Sequence, residues 1–106
     1  MIVYEVNLTV DRDIADAYAA WLGLHIEEML TLPGFVSAEW LVDRHYNEEE
    51  GADPRWSVRY RLGSHDDLQR YVDEDAERMR ADGLERFGDR FSATRRILEA
   101  REAFGD

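Results

Sequence analysis

WLGLHIEEMLTLPGF, residues 21–35, reads as the second half of an amphipathic helix, a Pro-Gly stop and the entry to a strand. At about 100° per residue, Ile14, Tyr18, Trp21, His25, Met29 and Leu32 fall on one stripe. Asp16, Gly23 and Glu27 fall opposite and face water. Pro33 cannot continue a helix, and Gly34 tolerates the reversal that follows. His25 stands near the middle of the apolar stripe, so a titratable ring is expected in the interior.

Working outward, the helix runs from about Asp13 to Thr31, capped by Asp11 or Asp13. Before it, Ile2 to Val10 alternates as a strand, with Ile2, Tyr4, Val6, Leu8 and Val10 on one face and Val3, Glu5, Asn7 and Thr9 on the other. After it, a second strand is expected from Phe35 to about His45, with Val36, Ala38, Trp40 and Val42 alternating against Ser37, Glu39 and Asp43. Residues 46–54 are acidic and rich in turn formers, an exposed hairpin loop. A third strand, Arg55 to Leu62, places Trp56, Val58, Tyr60 and Leu62 on one face.

Ser64 with Asp67 three residues on is a capping-box variant that starts a second helix. Leu68, Tyr71, Val72, Asp75, Ala76 and Met79 form its expected inward stripe. Gly83 weakens it, and Leu84 to Phe87 add a turn before Gly88. The last strand spans Phe91 to about Ala100, and residues 101–106 form a short frayed tail.

The element order is β-α-β-β-α-β, the ferredoxin-like split βαβ of the α+β class. Right-handed crossovers put both helices on one face of a four-stranded antiparallel sheet of order 4-1-3-2. A chain of 106 residues suits a single domain over 1–106.

Twenty-four acids against thirteen bases give a net charge of −11. That charge excludes sequence-independent nucleic-acid binding, which needs a positive footprint, and disfavours an anionic membrane surface. Without cysteine, thiol catalysis and thiolate zinc sites are out of reach. The N-terminus has neither a signal-peptide pattern nor an apolar run long enough to span a bilayer, which points to the cytoplasm.

The aromatic sheet face, with Tyr4, Trp40, Trp56, Tyr60, Phe91 and Arg95, is expected to meet the helices. His25, Asp75 and Arg95 then converge on one interior. Each would be costly to bury alone. One reading pairs Asp75 with Arg95 and satisfies His25 internally, a structural network. The other makes an aromatic-walled cavity in which Arg95 clamps an anion and His25 acts as base or donor, with Trp21, Tyr60, Tyr71, Asp75 and Tyr4 lining it. His25 with Glu28 is a weak metal pattern; neither metal nor cofactor is expected. The opposite face carries Glu5, Asn7, Ser37, Glu39, Arg59, Arg61, Thr94 and Arg96, rimmed by Val3, Phe35, Leu41 and Leu98. It meets water or a second copy of the chain. His45 and His65 read as loop residues.

The start M-I-V-Y-E-V, Trp21 followed by His25-Ile26 and Met29, V-R-Y at 58–60, and the run Tyr71, Ala76, Met79-Arg80, F-G-D-R-F at 87–91 and Arg95 resemble a small bacterial family, domain-of-unknown-function family 4286. The resemblance implies a dimeric α+β barrel, the superfamily of antibiotic-biosynthesis monooxygenase-like and muconolactone-isomerase-like proteins. It implies sheet-to-sheet homodimers with room for a ligand between sheet and helices, and marks Trp21, His25, Tyr60, Arg80 and Arg95. It implies no reaction, and fold alone assigns none. Close relatives are expected to carry a histidine at the position of Asp75. Two functions compete. One is a dimeric protein that binds or acts on a small aromatic or enolisable metabolite. The other is a non-catalytic assembly or regulatory module without a ligand pocket.

Overall fold

A computed structural model of the protein describes residues 1–45 and 51–105. Four strands, β1 (Ile2–Val10), β2 (Phe35–Val42), β3 (Arg55–Leu62) and β4 (Phe91–Glu99), form one antiparallel sheet of order β2-β3-β1-β4. This is the expected order read from the other edge. Helices α1 (Ala15–Met29), α2 (His65–Glu74) and α3 (Ala76–Phe87) pack on its aromatic face. None of them is long and apolar enough to cross a membrane. Of the loop expected over 46–54, residues 46–50 lie outside the described residues.

The Pro-Gly stop works as the sequence suggests. Gly34 has φ of 87°, and a Cβ there would collide with the Asp67 side chain. Only glycine fits both the left-handed backbone and the close approach of α2. At the start of α2 the Ser64 hydroxyl accepts from the Asp67 backbone N–H at 3.2 Å. In front of α1, Asp11 accepts from the N–H of Asp13 at 2.9 Å and caps a short 3-10 turn, Arg12–Ile14.

The core joins Tyr18, Leu22 and Met29 of α1 to Leu68, Tyr71, Ala76 and Met79, over Tyr4, Leu8, Trp56, Val58, Tyr60 and Leu62 of the sheet. Leu22 was not on the expected stripe. Its burial moves the deepest line of α1 round, so Trp21 and His25 lie half-buried on the flank.

Four expectations are corrected. The second helix is two: at Asp75 the backbone leaves helical geometry, with φ of −123° and ψ of −27°. Val72, expected inside, is exposed. The second strand ends at Val42, short of His45. Phe35, expected on the open-face rim, packs edge-on against Tyr60 and Tyr71 under the helices. A bulge between Phe35 and Ser37 shifts the register there, and the extra residue turns Phe35 inward.

The opposite face is held by Glu5. Its side chain is 3 % exposed and meets Arg59 at 2.8 Å and Arg96 at 2.7 Å. Asn7 donates to it at 3.0 Å. These cross-strand partners follow from the register, which sets Glu5 opposite Arg59 and Arg96. Hydrogen bonds from Arg96 and Asn7, with Arg59 adding to them, hold the Glu5 carboxyl down at about 2 against the opposing effect of burial.

Candidate functional site

Trp21 and His25, one turn apart on α1, face α3. Their rings stack with centroids 4.6 Å apart and planes inclined 23°. The Trp21 indole N–H donates to Asp82 Oδ2 at 2.9 Å, and Arg86 donates to Asp82 Oδ1 at 3.1 Å. Tyr18 and Phe87 meet Trp21 edge-on. Gly83 leaves the space that the Trp21 ring fills. The α1–α3 seam is thus closed by a stacked pair pinned through an indole hydrogen bond.

His25 Nδ1 is buried and has no hydrogen-bond partner among the described residues. Burial pulls the imidazole below its ordinary value; Glu28 and Asp82 oppose that, and Arg95 adds to it. A depressed value keeps the ring neutral at neutral pH, with one nitrogen free to accept a proton.

Beneath the seam, the sheet presents Tyr4, Val6, Val58, Tyr60 and Arg95, and α2 adds Tyr71. Burial pushes the Tyr18, Tyr60 and Tyr71 hydroxyls up, far from ionisation. They are neutral donors under any ordinary condition. Arg95 lies close enough to act on Tyr18, His25, Tyr60 and Tyr71. Arg80 donates to the Tyr4 hydroxyl at 2.9 Å.

These groups enclose a cavity of about 50 Å³, walled by Tyr4, Tyr18, Trp21, His25, Tyr60 and Tyr71, with Arg80 and Arg95 on its lining. On the outer side of the Trp21–His25 pair lies an open groove of about 690 Å³, bordered by Leu24, Asp82, Arg86 and Phe87. His25 therefore borders both the interior and the groove.

Six of the seven residues expected at the site, Tyr4, Trp21, His25, Tyr60, Tyr71 and Arg95, meet at this cavity. Asp75 does not. It sits at the break between α2 and α3, where Arg70 at 3.4 Å and Arg78 at 3.1 Å hold it. The Asp75–Arg95 pair of the network reading is not formed. The helix break turns Asp75 away from the sheet and toward its own helices' arginines. Glu28, weighed with His25 as a metal ligand, instead faces Arg78 at 3.6 Å. Among the described residues no three His, Asp or Glu side chains converge as a metal site. Sequence reasoning missed Asp82 and the purpose of Gly83. Continuing the Met79 stripe by three and four residues reaches both.

The fold is shared with solved structures of low sequence identity. A candidate antibiotic biosynthesis monooxygenase from Deinococcus radiodurans matches with a TM-score of 0.74 at 10% identity, covering 100% of this chain and 98% of that one. SnoaB, a cofactor-independent oxygenase from Streptomyces nogalater, matches with a TM-score of 0.62 at 15% identity over 99% and 97%. A MhuD variant with two manganese protoporphyrin IX molecules per active site matches with a TM-score of 0.68 at 15% identity over 100% of both chains. At such identities the likeness speaks for the fold alone. No curated protein matches the sequence. Over residues 1–101 the chain matches the model of the family described as a domain of unknown function, DUF4286, and it belongs to that family.

Proposed function

We propose that this protein binds, or acts on, a small aromatic or enolisable metabolite in the cavity between sheet and helices. The observation that carries the reading is His25, a residue of the cavity lining whose Nδ1 is buried without a partner among the described residues. A buried polar atom left unpaired costs about 1–3 kcal/mol, and a ligand hydroxyl or C–H acid in the cavity would relieve it. His25 then serves as proton acceptor or hydrogen-bond donor, and Arg95 steadies the developing oxyanion. The aromatic walls supply apolar contact, and the neutral tyrosine hydroxyls orient the ligand.

The cavity, about 50 Å³, is smaller than the roughly 150 Å³ that takes benzene in an engineered protein. A ring enters only at the cost of opening the stacked Trp21–His25 pair and its hydrogen bond to Asp82. A porphyrin would require far larger displacement of α1 from α3. The same small volume supports the second reading, an assembly module whose interior is only a core.

The reading includes a homodimer formed sheet to sheet. What supports it is the open face, where Glu5 is ion-paired to both Arg59 and Arg96 and Leu41 is exposed. Charges already paired resist burial less than free ones.

A native mass spectrum of gently purified protein tests both parts. The expected result is twice the chain mass with a non-covalent adduct in the small-metabolite range, absent from His25→Ala. A bare dimer in every preparation argues for the assembly module, and the chain mass alone removes the dimer.

A further inference from the structure

Resting on the cavity reading just given, we infer that Arg80 and Arg95 together bind a carboxylate, so that the ligand is a small aromatic carboxylic acid. Its carboxylate lies between α3 and β4, with the Tyr4 hydroxyl as a third donor, and its ring points toward Trp21 and His25.

On α3, Arg78 and Arg86 each take a carboxylate, Asp75 and Asp82. On β4, Arg96 takes Glu5. Arg70 of α2 takes Glu74 and Asp75. The two arginines on the cavity differ from these neighbours. Arg80 donates to a phenol, Tyr4, and neither Arg80 nor Arg95 has an ion pair among the described residues. Among the described residues no Asp or Glu lines the cavity, in a chain with twenty-four of them. A cavity with two guanidinium groups and no carboxylate is incomplete in charge. Both arginines are open to water, and an anion between them would gain charge-assisted hydrogen bonds from each. Arg80 and Arg95 line the same cavity, which offers one small anion both groups.

A planar carboxylate fits the site best. Guanidinium binds it through two parallel N–H···O bonds. Tyr4 accepts from Arg80 through its oxygen and so keeps its own proton to donate. Arg80 then selects the ligand by charge, a role distinct from that of His25.

The probes are 4-hydroxybenzoate and its neutral methyl ester, titrated against the full chain at low and high salt. The acid should bind at least about tenfold more tightly than the ester, and its advantage should shrink with salt. Arg80→Met should remove about tenfold of the acid's affinity and leave the ester's unchanged, with Arg80→Lys intermediate. Arg80 is exposed, so these variants should fold, and circular dichroism checks that they do. Equal binding of acid and ester overturns the carboxylate inference while the cavity reading stands. Binding of neither at millimolar concentration overturns both.

Discussion

Gly83 lies directly beneath the Trp21 ring: a Cβ there would stand 3.0 Å from Cη2 and 3.4 Å from Cζ2. Alanine in a helix interior is ordinarily about 1 kcal/mol better than glycine. Here the ring cannot easily give way, because Asp82 holds its N–H and His25, Tyr18 and Phe87 surround it. Gly83→Ala is therefore expected to lower stability by up to about 1 kcal/mol and to shift Trp21 fluorescence. Denaturant unfolding and emission spectra check this; a more stable variant with unchanged emission would show that the seam is loose.

His25 should titrate below its ordinary 6.5. Between its folded value and 6.5 the unfolded chain binds more protons than the folded one. The contribution to stability is thus complete above 6.5 and declines as pH falls through that window. NMR titration of the ring should give a midpoint under 6.5, and His25→Asn should remove this acid limb from the unfolding profile. A midpoint above 6.5 would mean that Glu28 and Asp82 outweigh burial.

Glu5 works at lower pH. Its carboxyl is held at about 2, against an ordinary 4.5. Its stabilisation is full above 4.5 and lost as pH drops from there toward 2. Because Arg59 and Arg96 are themselves substantially exposed, Glu5→Gln is expected to cost about 2 kcal/mol near neutral pH. Urea unfolding at pH 7 and pH 3 measures it. An equal loss at both values would assign the effect to packing instead of charge.

Asp75 separates structure from function. Asp75→Ala releases Arg70 and Arg78 at the α2–α3 break and should cost about 1 kcal/mol. Ligand affinity should be unaltered, since Asp75 does not line the cavity. A parallel loss of binding would return this residue to the site.

Much of this was legible from the chain. Period-two alternation located all four strands, and Pro33-Gly34 and Ser64 marked helix boundaries at the level of backbone chemistry. The aromatic face followed from phase alone, whereas Leu22 displaces His25 to the flank of α1 and Arg95, expected inside, is exposed. Three things were not legible. The β2 bulge that turns Phe35 inward leaves no signature in a run of apolar residues. The break at Asp75 occurs without glycine or proline, so helical phase carried Asp75 inward on paper while its arginines drew it outward. At Gly83 weak helix propensity is the local signal, and the steric role beneath it is set by an indole sixty-two positions away in the chain.

The most direct test uses the three indole N–H signals of the protein, from Trp21, Trp40 and Trp56. Only Trp21 lines the cavity, and its N–H bonds Asp82. Titrating 4-hydroxybenzoate into ¹⁵N-labelled protein should move the Trp21 signal progressively and saturably, while that of Trp40 stays fixed. Three unmoved signals at millimolar ligand, or movement of Trp40 without Trp21, would contradict a ligand site at this cavity.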